Sequence, residues 1–509
     1  MTSIASPSDT RPKNLTNEQA AASGSLERRL FIDAGPGTGK TTVAAQRFGA
    51  LRFAPESRTD HRAIIAVSFT RAATWTLKQR VRRIWGPAAL TWPHRIVTLD
   101  TIMCDLMHDL LRAGLLRWPN GHTELTVIDS WSALAQTKWT KKTYKVYVDA
   151  ADVKFVKVNL EGGARVPLTE IGKHLAEGIC THQDVRDALE NALKNETMAA
   201  HSRDRLKVSA KALIVDEVFD ANDLDIAIIE LATQAGLSVT LVGDPWQALY
   251  MFRGARPDAI PALLARTGIT TLALTESFRW RGPMQRKLAA NLREGHGVTL
   301  DLTASDALEG KVDVALATEW KPLWQASDGI LPLAFHSFKG GIEEAAATLL
   351  LNHVTRSALG ENATYLADAL MTLSINAPDA AEQLNNELHQ VVETLVGSEK
   401  DPVRAAYAKL AEITASFSPR RLRRAHAAHT IRLKLIAARL EQRARLIPGL
   451  TTHQAKGGEW DAVGVVLSRL EQARLQGGLT HEQDTDRKLY VACTRARMCT
   501  VLIATETAE

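Results

Sequence analysis

The sequence predicts an α/β protein built on parallel β-sheets, and three segments carry this prediction. Leu30–Asp33 is a short apolar strand that leads into a glycine-rich loop and then a helical pattern. Ala212–Val215 and Val239–Val242 are continuous apolar runs, which are typical of parallel strands covered on both faces. Because ligands bind beyond the carboxyl ends of such strands, the polar residues that follow these runs predict a single site.

The composition is that of a globular protein. The chain has 509 residues, of which 45% are hydrophobic and 23% charged, enough for roughly three or four domains. No apolar run approaches the roughly 18 residues that a membrane span needs, and residues 1–14 lack the apolar core of a signal peptide. We therefore expect a disordered lead at 1–14, a cytoplasmic location and no membrane partner. The cysteines show no metal-ligand spacing, which argues against zinc or iron–sulfur sites; they are Cys104, Cys180, Cys493 and Cys499.

The charge is mildly basic, with a formal net charge of +5 and a pI near 8.9. Such a balance permits a polyanionic partner without requiring one. Two local clusters fit either a phosphate-binding face or a solvated surface. They are Lys138, Lys141, Lys142 and Lys145, and, in a segment with a helical pattern, Arg420, Arg421, Arg423 and Arg424.

Residues 34–42 form a complete phosphate-binding loop between a strand and a helix. Its glycines let backbone N–H groups approach phosphates closely, Lys40 is expected to reach the β- and γ-phosphates, and the Thr41 hydroxyl is expected to ligate Mg²⁺. The pattern predicts nucleotide binding without saying which class of motor or switch is present. The predicted nucleotide-binding residues of the loop are Gly35, Gly37, Thr38, Gly39, Lys40, Thr41 and Thr42.

An acidic pair follows the second apolar strand. Asp216 is expected to hold the metal ion through water, while Glu217 is placed to act as the general base toward an attacking water molecule. Acidic pairs after strands are common, but this one occurs together with a phosphate-binding loop.

The segment after the third strand resembles the third motif of the UvrD/Rep family of superfamily 1 DNA helicases. It begins Gly243-Asp244-Pro245-Trp246-Gln247 and continues through Tyr250 and Phe252 to an Arg-Gly pair. The resemblance implies that Gln247 senses the γ-phosphate and that Tyr250 and Phe252 stack on DNA bases. Stacking contributes roughly 1–3 kcal/mol per base and suits binding without sequence preference. The alternative is that both rings are ordinary core aromatics.

Further segments are similar to the remaining motifs of this family, in the family's order. By this resemblance the ATP-binding residues include an adenine reader, an adenine-stacking ring, a γ-phosphate contact, a ribose contact and an arginine finger; these are, in turn, Gln19, Phe278, Arg279, Glu459 and Arg495. The family resemblance also assigns DNA contacts to Phe69, Thr70, Thr98 and His453. Asp100 stands where the family often has histidine.

The resemblance implies two RecA-like parallel-sheet motor domains with mainly helical insertions. Catalysis is expected when the domain carrying Lys40 closes on ATP against the domain carrying Arg279 and Arg495. A hairpin is expected within 144–158, and helices over 379–395, 402–413 and 419–445. The predicted domains are motor domain 1A at 15–103 and 206–275, insert 1B at 104–205, motor domain 2A at 276–360 and 447–509, and a reduced helical 2B-like insert at 361–446.

The function implied by the resemblance is an ATP- and Mg²⁺-dependent translocase or helicase. It would move 3′-to-5′ on single-stranded DNA or on duplex with a single-stranded tail. Phe219 stands where the family usually has glutamine, which puts the coupling of ATP to DNA in question. The alternative is a DNA-sensing regulatory ATPase subunit of a nuclease-containing antiphage defence complex, as in the Gabija type. A repair protein is another candidate partner, and a P-loop kinase or GTPase would require the later motifs to be coincidental.

Overall fold

The computed structural model of the protein describes residues 15–131, 139–140, 142–159, 166–167, 170–375, 384–442 and 445–504. The predicted disordered lead at 1–14 lies outside the described residues. So do Lys138 and Lys141 of the first basic cluster.

The described chain alternates strands and helices. The strands are β1 (Arg29–Ala34), β2 (Ala63–Ser68), β3 (Arg95–Thr98), β4 (Thr126–Ile128), β5 (Trp139–Thr140), β6 (Lys142–Asp149), β7 (Asp152–Asn159), β8 (Val166–Pro167), β9 (Ile179–Thr181), β10 (Ala210–Asp216), β11 (Ser238–Gly243), β12 (Thr270–Leu274), β13 (Leu302–Thr303), β14 (Val314–Ala317), β15 (Ile330–Pro332), β16 (Ile447–Thr451), β17 (Trp460–Val465) and β18 (Ala496–Ile503). The α-helices are Asn17–Gly24, Lys40–Phe53, Arg71–Trp85, Leu99–Arg112, Ile171–Ala176, His182–Ala192, Glu196–Ser209, Asp223–Gln234, Ile260–Thr267, Pro283–Arg293, Trp320–Ala326, Ile342–Leu359, Leu366–Thr372, Asn385–Leu395, Pro402–Phe417, Ala427–Leu440, Thr452–Ala455, Arg469–Gly477 and Asp484–Cys493.

The chain divides into two compact units. The first comprises the described residues up to Ala113 together with Ala192–Phe278, and the second comprises the described residues within Gly114–Asn191 and from Arg279 onward. The boundary predicted at residue 104 falls inside the helix Leu99–Arg112, which continues directly from β3.

The first unit is built on a six-stranded sheet in the order β12-β1-β11-β10-β2-β3, and every pair is parallel. Its inner strands β1, β2, β10 and β11 contribute apolar side chains to one buried cluster, and helices Lys40–Phe53 and Arg71–Trp85 add Phe48 and Leu77 to it. Because all strands are parallel, their carboxyl ends lie at one edge. The loops after β1, β10 and β11 therefore meet there.

The second unit contains a six-stranded parallel sheet in the order β13-β18-β17-β14-β16-β15. The prediction of an α/β fold with parallel sheets is thus confirmed. Strand β15 of this sheet ends at Pro332. The carbonyl of Leu333 accepts a hydrogen bond from Thr364 N at 2.8 Å, so the chain leaves the sheet at this point.

The region predicted as a reduced insert, 361–446, is helical across most of its described length. Buried side chains of its helices share one hydrophobic cluster with the helix Ile342–Leu359. Trp324 and Phe335, which stack with ring centroids 5.3 Å apart, belong to the same cluster. These helices therefore share their core with the preceding part of the second unit.

The second basic cluster is not helical, and the prediction of a helix from residue 419 was wrong. The helix begins only at Ala427. Arg423 N donates to Glu343 Oε1 at 3.2 Å, and Arg423 O accepts from the Tyr407 hydroxyl at 3.0 Å. Because side chains bond to the N–H and C=O of Arg423, these backbone groups do not take part in the helical hydrogen bonding that the local sequence predicted.

The hairpin predicted within 144–158 is present as the antiparallel pair β6 and β7. Tyr144 and Phe155 make an edge contact with ring centroids 5.8 Å apart. Among the helices of the described ranges, none is both long and apolar enough to cross a membrane.

Candidate functional site

The phosphate-binding loop lies between β1 and the helix that begins at Lys40. Gly37 and Gly39 have φ angles of 73° and 87°, a backbone conformation that glycine adopts without steric cost. Lys40 Nζ donates to the carbonyl of Ala34 at 3.2 Å, across the loop. The loop thus curves around the amino end of the helix, where backbone N–H groups favour an anion.

The acidic pair lies at the end of β10 in the same unit. Asp216 is buried, and Glu217 adopts a left-handed conformation with φ 62° and ψ 44°. That conformation costs a residue other than glycine roughly 1–3 kcal/mol, and such strain clusters at functional sites. Glu217 Oε1 lies 3.8 Å from Lys40 Nζ. The structure therefore brings the predicted phosphate-binding lysine close to the predicted general base.

The donor set fits Mg²⁺ bound with a nucleotide. The predicted ligands, the Thr41 hydroxyl and the Asp216 carboxylate, carry oxygen atoms, which this ion prefers. The described part of the chain holds no group of three or more His, Cys, Asp or Glu side chains that could bind a metal ion by themselves.

Arg80 is a site residue that sequence reasoning missed. Its Nη1 donates to Thr42 Oγ1 at 2.9 Å, next to the predicted metal ligand Thr41. Burial lowers the pKa of the Arg80 guanidinium, and the negative charge of Asp216 acts in the opposite direction. The sequence did contain one indication of this role. Arg80 is three residues after Leu77, so it lies beside the buried face of its helix.

Gln19 is buried against the phosphate-binding loop. Its Nε2 donates to the carbonyl of Thr38 at 2.9 Å, and its Oε1 accepts from Thr16 N at 3.2 Å. A Cβ at Gly39 would lie 2.7 Å from Gln19 Nε2, so this position requires glycine for space as well as for conformation. Adenine recognition by Gln19 stays a prediction.

The segment Thr275–Phe278 is hydrogen-bonded to the phosphate-binding loop and to the helix Asn17–Gly24. Glu18 accepts hydrogen bonds from Thr275 N at 2.7 Å and Thr275 Oγ1 at 2.6 Å, and these bonds lower the pKa of the Glu18 carboxyl. Ser277 Oγ donates to Pro36 O at 2.8 Å, and Phe278 N donates to Gly37 O at 3.0 Å. Phe278 therefore lies beside the loop, with its ring 51% exposed.

We expect Glu18→Gln to weaken MgATP binding several-fold while leaving protein stability nearly unchanged. The amide cannot accept both Thr275 bonds as strongly as a carboxylate, so Phe278 is positioned less firmly. Titration with a fluorescent ATP analogue measures this effect. Glu27→Gln, a change at an exposed carboxylate nearby, is the matched control. Equal affinity for MgATP in the Glu18 and Glu27 variants would show that the hydrogen bonds between Glu18 and Thr275 do not contribute to nucleotide binding.

Gln247 lies after β11 and is also buried. Its Nε2 donates to Asp244 Oδ2 at 2.7 Å, while Asp244 Oδ1 accepts from Trp246 N at 3.2 Å. Asp244 thereby fixes the orientation of the side chain that the resemblance assigns to γ-phosphate sensing.

Phe219, the departure from the family pattern, is a packing residue. Its ring makes an edge contact with Phe31 at a centroid distance of 6.0 Å. A Cβ at Gly243 would lie 2.8 Å from Phe219 Cδ2, so the ring occupies the space that glycine leaves open. Where the family usually has glutamine, this chain therefore has an apolar side chain that packs against β1 and β11.

The two aromatic residues predicted to stack on DNA lie close together in the first unit. The ring centroids of Tyr250 and Phe252 are 5.9 Å apart, and the Arg253 guanidinium lies 5.2 Å and 5.4 Å from the two centroids. Phe252 is 67% exposed, which excludes a core role for this ring.

The other predicted DNA contacts follow the ends of strands. Phe69 and Thr70 come directly after β2, and Thr98 ends β3, so all three lie at the same edge of the sheet. Thr70 Oγ1 accepts from Ala73 N at 3.1 Å, which caps the following helix. In the second unit, His453 lies on the short helix after β16 and is partly buried.

Within the second unit the structure brings together three predicted motifs. The Arg279 guanidinium donates from Nε to Glu459 Oε1 at 2.9 Å and from Nη1 to Thr494 O at 3.1 Å. The buried Arg495 donates from Nε to Val491 O at 3.2 Å. Glu459, predicted to contact ribose, is thus bonded to an arginine predicted to contact phosphate.

Comparison with known proteins agrees with this geometry. Residues 15–266 match the UvrD/REP helicase N-terminal domain. This segment belongs to the UvrD-like helicase family. It is 23% identical over 302 residues to "Putative ATP-dependent DNA helicase YjcD" of Bacillus subtilis, covering 53% of this chain and 37% of that protein. It is 24% identical over 305 residues to DNA helicase II of Escherichia coli, covering 52% and 38%. The chain thus spans little more than a third of the length of these relatives.

Proposed function

We propose that this UvrD-like chain is an ATP-dependent translocase or helicase that moves 3′-to-5′ on single-stranded DNA. The observation that carries the proposal is the placement of Lys40, Asp216 and Glu217 at one edge of a parallel sheet, in a domain matching the helicase family. Its substrates are ATP with Mg²⁺ and either a single strand or a duplex with a single-stranded tail.

The ATP chemistry is assigned to the chain's own residues as follows. The Lys40 ammonium exchanges its contact with Glu217 for the β- and γ-phosphates. Glu217, released from that contact, accepts the proton of the attacking water, while Thr41 and Asp216 hold the metal ion. Mg²⁺, when bound, neutralises charge that develops on the phosphate oxygens.

The same proposal assigns charge stabilisation to arginines. Arg80 adds a cation beside Thr42, and the resemblance assigns Arg279 and Arg495 to the γ-phosphate. Preorganised cations are effective because they require no reorganisation as charge develops. Their pairing with backbone carbonyls and with Glu459 supports a fixed orientation of the guanidinium groups.

DNA binding is assigned to the sheet edge that carries Phe69, Thr70 and Thr98 and to the pair Tyr250 and Phe252. An exposed aromatic ring beside an arginine suits single strands, because each base offers a face for stacking and each nucleotide a phosphate. Such contacts are insensitive to sequence, as movement along DNA requires.

We expect ATP hydrolysis to rise strongly when oligo(dT) is added and the stimulation to weaken with salt, since phosphate contacts release counterions. Phe252→Ala is expected to raise the half-stimulating DNA concentration about fivefold or more, because stacking contributes roughly 1–3 kcal/mol per base. ATP binding stays unchanged.

The matched control is Leu26→Ala, which removes a fully exposed apolar side chain outside the proposed contacts. Steady-state hydrolysis over a range of oligo(dT) concentrations gives the maximal stimulation and the half-stimulating DNA concentration for each variant. An unaltered DNA dependence in Phe252→Ala would remove this residue from the proposed DNA-binding surface.

A DNA-sensing ATPase subunit beside a nuclease is the other function that the sequence leaves open. Such a subunit would hydrolyse ATP in response to DNA without moving along it. Translocation therefore separates the two functions, and a role in repair or in antiphage defence follows from whichever partner protein the chain binds.

A further inference from the structure

An exposed tryptophan lies on the helix Arg71–Trp85 of the first unit. Trp75 is 63% exposed, and it is the one large apolar side chain that this fully described helix leaves exposed. It therefore does not belong to an extended apolar patch on this helix. Because single exposed apolar residues are common on proteins, the side chains beside Trp75 decide whether the position has a role.

Two cations share the face of the helix that carries Trp75. Lys78 and Arg82 follow it at three and seven residues, a spacing that places the three side chains in one row along the helix. Arg82 is exposed and Lys78 is partly exposed. We call this row, Trp75, Lys78 and Arg82, the helix stripe. An aromatic ring and two cations thus lie on one accessible face.

The charge around the helix stripe is positive. The helix contains five cationic residues and no carboxylate, and the sequence has no Asp or Glu anywhere in residues 61–99. Within the described ranges, neither Lys78 nor Arg82 forms an ion pair. Arg80 lies on the opposite side of the helix, where it bonds to Thr42, and is not part of the stripe. The stripe is therefore suited to a polyanion.

The helix stripe continues from the proposed DNA contacts. Phe69 and Thr70 lie at the carboxyl edge of the sheet, and the helix begins at the next residue. At about 1.5 Å per residue, Trp75 lies about 6 Å and Arg82 about 16 Å along the helix axis from Arg71. A strand that leaves the sheet edge at Thr70 and follows this helix meets the ring first and the two cations after it.

We propose that the helix stripe binds single-stranded DNA, with a base stacked on Trp75 and phosphates on Lys78 and Arg82. An exposed indole offers a stacking face to every base, and lysine and arginine neutralise phosphates without reading sequence. The inference rests on the proposed function, because it extends the DNA path proposed there from the sheet edge onto the exposed face of this helix.

The test of the stacking contact uses the full chain and fluorescently labelled oligo(dT) of about 16 nucleotides, with affinity measured by anisotropy. Trp75→Ala is expected to weaken binding about fivefold or more, because it removes the ring on which one base stacks. Trp75→Phe keeps a stacking face and is expected to retain most of the affinity. Leu26→Ala, which removes another exposed apolar side chain, is the control.

The salt dependence of binding tests the phosphate contacts. Each contact to a phosphate of a single strand contributes roughly 0.7 to the steepness of log K against the logarithm of salt concentration. Lys78→Gln and Arg82→Gln are each expected to lower this steepness by about that amount, whereas Lys78→Arg keeps it. Lys207→Gln, at an exposed lysine on another helix of the same unit, is the control. Thermal melting establishes that each variant is folded, and a merely structural role would not change the salt dependence.

The outcomes separate this inference from the proposed function. If Phe252→Ala weakens DNA binding while every variant of the helix stripe binds as its control does, the DNA path does not include the stripe. If the natural chain binds no DNA, the proposed function and this inference both fail. Stripe variants that keep their affinity for DNA but lose affinity for a poly-glutamate peptide would assign the surface to an acidic protein and overturn the inference.

Discussion

Glu217→Gln is expected to bind MgATP at least as tightly as the natural chain and to hydrolyse it at least about a hundredfold more slowly, since general bases contribute roughly 10²–10⁴-fold. The amide keeps the shape of the side chain but cannot accept the proton of water. It also removes the negative partner 3.8 Å from Lys40 Nζ, which leaves the ammonium available to phosphate.

Single-turnover hydrolysis and direct nucleotide titration measure the two effects separately. Glu190→Gln, at an exposed carboxylate on the helix His182–Ala192, is the control and is expected to behave as the natural chain does. Hydrolysis at the natural rate by Glu217→Gln would show that another group activates the water.

Lys40→Ala is expected to abolish measurable hydrolysis and to weaken MgATP binding by about tenfold or more, because it removes a charge-assisted phosphate contact. The substitution also leaves Glu217 without the cation opposite it, so the carboxylate would repel the γ-phosphate. Lys40 differs from Glu217 in this respect, since its loss impairs binding as well as chemistry.

The control for Lys40→Ala is Lys287→Ala, at an exposed lysine of the helix Pro283–Arg293. Hydrolysis is followed with saturating oligo(dT), and affinity with a fluorescent nucleotide. If Lys40→Ala turns over ATP as the control does, the phosphate-binding loop is not the site of hydrolysis.

The parts of the site that depend on local sequence were predictable. The loop at 34–42 and the pair Asp216 and Glu217 each follow an apolar strand, and parallel pairing of β1, β11 and β10 places them at one edge. Strand, glycine-rich turn and helix are specified by neighbouring residues, so a short pattern is sufficient.

Contacts between distant segments were not predictable. The bond between Glu18 and Thr275 joins residues 257 positions apart, and neither residue stands out in its own segment. Arg80 lies outside every recognised motif, and only the packing of its helix beside Lys40–Phe53 brings its guanidinium to Thr42. The arginines at 420–424 followed a helical pattern, but the Tyr407 hydroxyl and the Glu343 carboxylate bond to the backbone of Arg423.

The most direct test of the account is translocation by the purified natural chain on single-stranded DNA. Oligo(dT) strands of increasing length, labelled with a fluorophore at the 5′ end, are mixed with protein and MgATP in a stopped-flow instrument. The proposal predicts an arrival time that increases linearly with strand length and no such dependence when the label is at the 3′ end. DNA-stimulated hydrolysis with arrival times independent of length at both ends would contradict a motor and favour a DNA-sensing ATPase.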